Sequence, residues 1–124
     1  MVDVLVQTDD ADLARRLEDA CRERGHQLTR LPSLRQLARV SRTRGPAALL
    51  IDVQGSPSDA ALVAATVAAV HGDLSIVLAV EERDARSVLG FRTVDKQWPG
   101  ERVLDELELA CIGIPASVGP SPSD

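Results

Sequence analysis

Aromatic residues are almost missing: one Phe, one Trp and no Tyr in 124 residues. A surface that stacks bases, or a pair of rings that sandwiches a flavin, cannot be built from so few. Two cysteines are too few for a disulfide scaffold and suit a reducing cytoplasm, the expected location. The net charge of -5 gives no general electrostatic attraction to nucleic acid or to an anionic membrane. Residues 60–70 are the longest nearly apolar stretch, too short to span a bilayer. Met1-Val2-Asp3-Val4 has no basic stretch followed by a long apolar run, so no secretory signal is expected. Also missing are a GxGxxG or P-loop glycine pattern, a Ser/His/Asp set at strand ends, and any internal repeat. Lysine is nearly absent too. Of 14 basic residues, 13 are Arg and one, Lys96, is Lys. What remains is 44% hydrophobic residues, enough for one compact core.

The hydrophobic pattern alternates strand and helix. Val2–Val6 is β-branched and apolar and runs into the polar Gln7-Thr8-Asp9-Asp10, which predicts a buried strand ending in a loop. Over residues 11–24, Leu13, Leu17, Ala20 and Cys21 share one helical face. Asp9 or Asp10 can cap its start, and Gly25 stands at its C-terminal cap position. Gln27–Leu31 suits a short strand, and Ser33 can cap a helix through Leu34, Leu37 and Ala38 that closes near Gly45. Ala47–Val53 is the clearest buried strand. A helix from Ser58 to about Val70, a strand Leu74–Val80, a short helix Arg83–Leu89, a strand Phe91–Val94 and a helix Pro99–Ile112 complete the order. Residues 1–113 form one domain in this reading, and 114–124, rich in Pro, Ser and Gly, a flexible tail or linker stub. Short connections between near-continuous apolar strands argue for an α/β fold: a parallel sheet covered on both faces. Ligand chemistry in such sheets sits just beyond the C-terminal strand ends.

Those ends carry two carboxylates, Asp9 and Asp52, and the lone ammonium, Lys96. Two acids packed together repel, and a hard cation such as Mg²⁺ relieves the repulsion. A carboxylate can also act as a nucleophile and form an aspartyl phosphate, while a lysine clamps the phosphoryl oxygens. On these residues, over roughly 2–112, the chain resembles the receiver domains of bacterial response regulators. The resemblance implies a flavodoxin-like (βα)5 fold, doubly wound, with five parallel strands in the order 2-1-3-4-5. It implies Asp9 as metal ligand, Asp52 in LLIDVQG as phosphoacceptor and metal ligand, the Gln54 backbone carbonyl as a further ligand, and Lys96 in VDKQWP as phosphoryl clamp.

Four positions depart from the family. Thr8 stands where the first of two adjacent acids belongs. Ala79 replaces the fourth-strand hydroxyl, Thr93 the fifth-strand aromatic, and Gln97 the proline after the lysine. The stretch from Ala79 to Lys96 is short, which implies an abbreviated fourth helix. A phosphoryl group with equal contacts in two conformations shifts no population. The expectation is therefore an atypical receiver with an impaired phosphoswitch and a weak or absent Mg²⁺ site. It is expected to work as a protein-interaction module, not an enzyme, with a sensor kinase or downstream effector as partner. A homodimer is left open, and no nucleic acid or membrane is expected to bind. The alternatives are a working phosphoacceptor at Asp52 with Mg²⁺, and a flavodoxin-like ligand-binding or enzyme domain. Arg35, Arg39 and Arg42 read as a basic stripe that is mainly a solvated helix face, Cys21 and Cys111 as small buried thiols, and His26 as a surface imidazole. Trp98 beside Pro99 reads as a packing residue of the fifth-strand loop.

Overall fold

Strands that are apolar at nearly every position must be buried on two faces, and the central strands of this sheet are. The computed structural model of the chain describes residues 2–39, 47–54, 57–81 and 91–112. Five strands, β1 (Asp3–Gln7), β2 (Gln27–Leu31), β3 (Ala47–Asp52), β4 (Leu74–Val80) and β5 (Arg92–Asp95), form one parallel sheet in the order β2-β1-β3-β4-β5. Three α-helices and one 3₁₀ helix accompany them among the described residues: α1 (Ala11–Arg24), the 3₁₀ helix Leu34–Arg39, α2 (Pro57–Val70) and α3 (Gly100–Cys111). This is the strand order that the flavodoxin-like resemblance implies.

The alternation sorts the core into two layers. Val4, Val6, Ala48, Leu50, Val77, Ala79 and Val94 face α1 and α3, whose Leu13, Leu17, Leu104 and Leu107 are fully buried. Leu5, Leu49, Ile51, Ile76, Leu78 and Val80 point the other way, onto Leu37, Ala64 and Val67. Each fully buried Leu or Val contributes about 1.5–3 kcal/mol of transfer free energy.

The local signals at α1 work as expected. Asp10, in an extended backbone conformation, accepts hydrogen bonds from Asp12 N and Leu13 N through Oδ1, at 2.9 and 3.2 Å. Gly25 ends the helix with a positive φ of 74°, a conformation that glycine enters without a Cβ penalty.

Two expectations need correction. The predicted second helix is a 3₁₀ segment, Leu34–Arg39; Ser33 Oγ does accept from Arg35 N at 3.2 Å, but residues 40–46, with Arg42, lie outside the described residues. The predicted basic stripe cannot be placed here, because the side chain of Arg39 and the whole of Arg42 lie outside what the structure describes. His26 is not a surface imidazole. Its side chain is 10% exposed; its Nδ1 accepts from Val2 N at 3.0 Å, and Nε2 lies 2.5 Å from Glu108 Oε2. An accepting Nδ1 and a carboxylate at Nε2 together require the tautomer protonated at Nε2. His26 thus ties the start of β1 to α3, a contact that no local pattern announces. The strand and helix limits otherwise shift by a residue or so from those read in the sequence. The predicted helix 83–89 and the tail 114–124 lie outside the described residues.

Cys21 is buried as predicted, 1% exposed, and Cys111 is partly buried. Burial, reinforced by the Glu108 carboxylate, pushes the Cys21 thiol up to about 11, well above the ordinary cysteine range. The folded state thus holds this proton more tightly than the unfolded state. Cys21 should therefore take nothing from stability below pH 9 and should lower it progressively from pH 9 to about 11. Urea midpoints of wild type and Cys21→Ala across that range should show a steeper fall with pH in the wild type. Parallel curves would contradict the assignment.

Candidate functional site

β1, β3 and β5 are parallel, so their C-terminal ends lie at one edge of the sheet, and the loops beyond them meet there. Asp52, the last residue of β3, is 4% exposed and stands in register with Ala79 of β4. Its two carboxylate oxygens have different neighbours. Thr8 Oγ1 donates to Asp52 Oδ2 at 2.5 Å. Lys96 Nζ lies 2.6 Å from Oδ1, too poorly aligned for a hydrogen bond, so that contact is an ion pair. The side chains of Asp52 and Lys96 are 1% and 13% exposed. Attraction between charges so far out of water is much stronger than at a surface.

Thr8 and Lys96 are each engaged further. Thr8 is 1% exposed, and its Oγ1 also accepts from Asp10 N at 2.9 Å. Lys96 Nζ also donates to Val53 O at 2.5 Å, and Glu81 Oε1 lies 3.7 Å away. The Lys96 backbone N–H bonds to Val80 O at 2.9 Å, which extends the β4–β5 pairing into the loop. Glu81, and Arg16, which no sequence signal singled out, belong to the surroundings of the lysine. Glu81 was in reach of the strand-end rule, while nothing in the sequence distinguishes Arg16 from its neighbours.

The remaining candidates flank this cluster. Asp9 is exposed at the end of the β1 loop, and Gln54 is exposed after β3. Ala79, fully buried, brings no hydroxyl to the edge, and Thr93 is partly buried in β5. A cleft of about 470 Å³ lies beside the lysine, bordered by Asp10, Asp12, Arg16, Glu81, Lys96 and Gln97. A second, of about 290 Å³, reaches Asp52 and Gln54 from the α2 side, past Asp59, Ala60 and Val63. Asp9 lines neither.

The donor set suits a magnesium ion poorly. Asp10 Oδ1 is spent on the first turn of α1, Asp52 Oδ2 on the Thr8 hydroxyl, and the Val53 carbonyl on Lys96. Among the described residues there is no group of three or more His, Cys, Asp or Glu side chains able to hold a metal ion. Mg²⁺ favours several hard oxygens in octahedral array and keeps waters in the positions left over. Here it would meet one buried carboxylate already neutralised by an ammonium. What the arrangement does provide is a carboxylate of fixed orientation beside a cation.

No described helix is long and apolar enough to cross a membrane. No protein-family description and no curated protein matches the sequence. Solved structures do. The chain is similar to response regulator protein TrrA from Thermotoga maritima, in complex with Mg²⁺-BeF. The identity is 15% and the TM-score 0.66, over 89% of this chain and 99% of that one. It is similar to a two-component transcriptional regulator AraC from Clostridium phytofermentans ISDg, at 17% identity and TM-score 0.65 over 90% and 93%. It is also similar to a CheY-like response regulator receiver domain protein from Methanospirillum hungatei JF-1, at 16% identity and TM-score 0.66 over 91% and 96%. At such identities the likeness establishes a shared fold: the chain has the CheY-like, flavodoxin-like architecture of five parallel strands in the order 2-1-3-4-5.

Proposed function

We propose that this chain is a receiver-type domain of two-component signalling whose aspartate centre is held closed from within. In this reading it works as a docking module for a protein partner, a sensor kinase or a downstream effector, and turns over no substrate of its own. The observation that carries the reading is the Thr8 hydroxyl on Asp52 Oδ2. A neutral donor occupies the place where a second acid would help to hold a divalent cation. With Lys96 on the other oxygen, the centre is neutral and engaged on both sides. Two further features agree. Ala79, in register with Asp52, has no hydroxyl to follow a phosphoryl oxygen, and Thr93 has no ring to change position with it. Without differential contacts in two conformations, a phosphate would shift no population.

A second reading has one observation in its favour. Among the described residues Asp52 Oδ1 has no aligned hydrogen-bond donor although it is buried, and an ammonium lies beside it. A carboxylate oxygen so placed can attack phosphorus, and Lys96 can receive the charge on the phosphoryl oxygens. This would be a working phosphoacceptor.

Incubation with Mg²⁺ and acetyl phosphate, and separately with beryllofluoride, distinguishes the two. The sole tryptophan, Trp98, sits two residues beyond Lys96 and reports the loop by fluorescence. The docking reading expects no lasting adduct by intact mass and no Mg²⁺-dependent change in Trp98 emission. The variant Thr8→Asp should gain a Mg²⁺ response that the wild type does not have. An adduct in the wild type that disappears in Asp52→Asn, with a fluorescence change, would establish the second reading. Stoichiometric binding of a coloured cofactor would defeat both.

A further inference from the structure

The loop that carries Lys96 is tied to α1 by one residue. The Arg16 side chain donates through one terminal nitrogen to Lys96 O at 2.9 Å and through the other to Trp98 O. Its Nε is held by Asp12 Oδ2 at 2.8 Å, one helical turn earlier. A guanidinium is a planar fork of fixed donors, so it can serve two carbonyls of one loop at once where an ammonium cannot. The side chain is 26% exposed, so the bonds form where water competes only in part.

The backbone of Arg16 meets the same connection. A Cβ built on Gly100, the first residue of α3, would lie 2.2 Å from Arg16 O. Side chain and main chain of one α1 residue therefore press on both ends of the segment from Lys96 to Gly100. Inside the loop, Asp95 supplies further restraints: Oδ1 accepts from Gln97 N at 2.8 Å, and its carbonyl accepts from Trp98 N at 3.1 Å. Nothing in that internal set fixes the loop relative to α1; Arg16 does.

We infer that Arg16 is the positioning residue for Lys96: by fixing the Lys96 and Trp98 carbonyls to α1, it holds the ammonium against Asp52. The inference deepens the reading above, since it takes Lys96 as the cation of that centre. Its test follows the hold on Lys96 itself, so it can fail or succeed whether or not Asp52 accepts phosphate.

Lys96 is the only lysine of the chain, which makes it directly measurable. The folded full-length protein is treated with a limiting amine acylating reagent, and labelling at Lys96 is followed by peptide-mapped mass spectrometry relative to the α-amino group. Losing charge-assisted bonds to the loop should raise the labelling rate at Lys96 by about tenfold or more in Arg16→Gln. Arg16→Lys, which keeps the charge but cannot span both carbonyls, should fall between that variant and wild type. Arg15 also pairs with Asp12, at 3.1 Å, but is 72% exposed and donates to no loop carbonyl that the structure shows, so Arg15→Gln should stay at the wild-type rate. If Arg16→Gln does not fold by circular dichroism, Arg16→Lys decides alone. Wild-type reactivity in the folded Arg16 variants, or an equal rise in Arg15→Gln, would overturn the inference.

Discussion

Lys96→Met should cost the folded protein about 3–5 kcal/mol, the usual penalty for removing one partner of a buried ion pair. The Asp52 side chain is 1% exposed; the Thr8 hydroxyl donates to Oδ2, and the Lys96 ammonium forms an ion pair with Oδ1. Without Lys96 a buried carboxylate keeps a single hydrogen bond, and the Val53 carbonyl loses its donor. Methionine matches the lysine stem in length and bulk, so packing is largely retained and the loss is electrostatic. Domains of this size are stable by only about 5–15 kcal/mol, so the effect takes a large share. Urea unfolding of wild type, Lys96→Met, Asp52→Asn and the double variant should show strong coupling: the double variant should lose much less than the sum of the singles. Additive losses would mean that the pair does not hold the centre together. This would also remove the main support for a closed site.

Gly100→Ala should be destabilising by about 2–3 kcal/mol, in the upper range for overpacked positions. The sign is what makes this prediction sharp. Gly100 opens α3, and on helix propensity alone alanine is better there by about 0.5–1 kcal/mol. The tertiary contact opposes this: the new methyl carbon would lie 2.2 Å from Arg16 O, 2.6 Å from Arg16 C and 3.2 Å from Leu17 N. These are backbone atoms of a neighbouring helix and cannot rotate away. To admit the methyl group, α3 must lift off α1, which loosens the layer where Leu13 and Leu17 meet Val103, Leu104 and Leu107. A higher melting temperature for Gly100→Ala would show that the close approach of the two helices is dispensable. If the helices do part, Lys96 should also label faster in this variant, because the segment from Lys96 to Gly100 is held from both ends.

Helix α2 differs from the other two in a way that the same packing explains. Ala61, Ala64 and Val67 are buried against the sheet, while Leu62, Val63 and Val70 are exposed. Its sequence is apolar all round, so hydrophobicity marked it as a helix but could not tell which side faces the core. In α1 the charged residues mark the outer side, and the buried face read from the spacing of Leu13, Leu17 and Cys21 is the observed one; α3 buries Val103, Leu104 and Leu107.

The parallel sheet, its covering on both faces, an aspartate cap at residue 9 or 10, the Gly25 cap and the placing of Asp52 and Lys96 at strand ends follow from periodicity and neighbouring residues, so sequence alone determined them. Only the tertiary structure decided that Thr8 donates to Asp52, 44 residues away, that Arg16 holds the carbonyl of Lys96, 80 residues away, and that His26 is enclosed beside Glu108, 82 residues away. Such contacts depend on how the layers pack, and side chains with the same local pattern, such as Arg15 and Arg16, end in solvent or in the site according to which way the helix turns on the sheet.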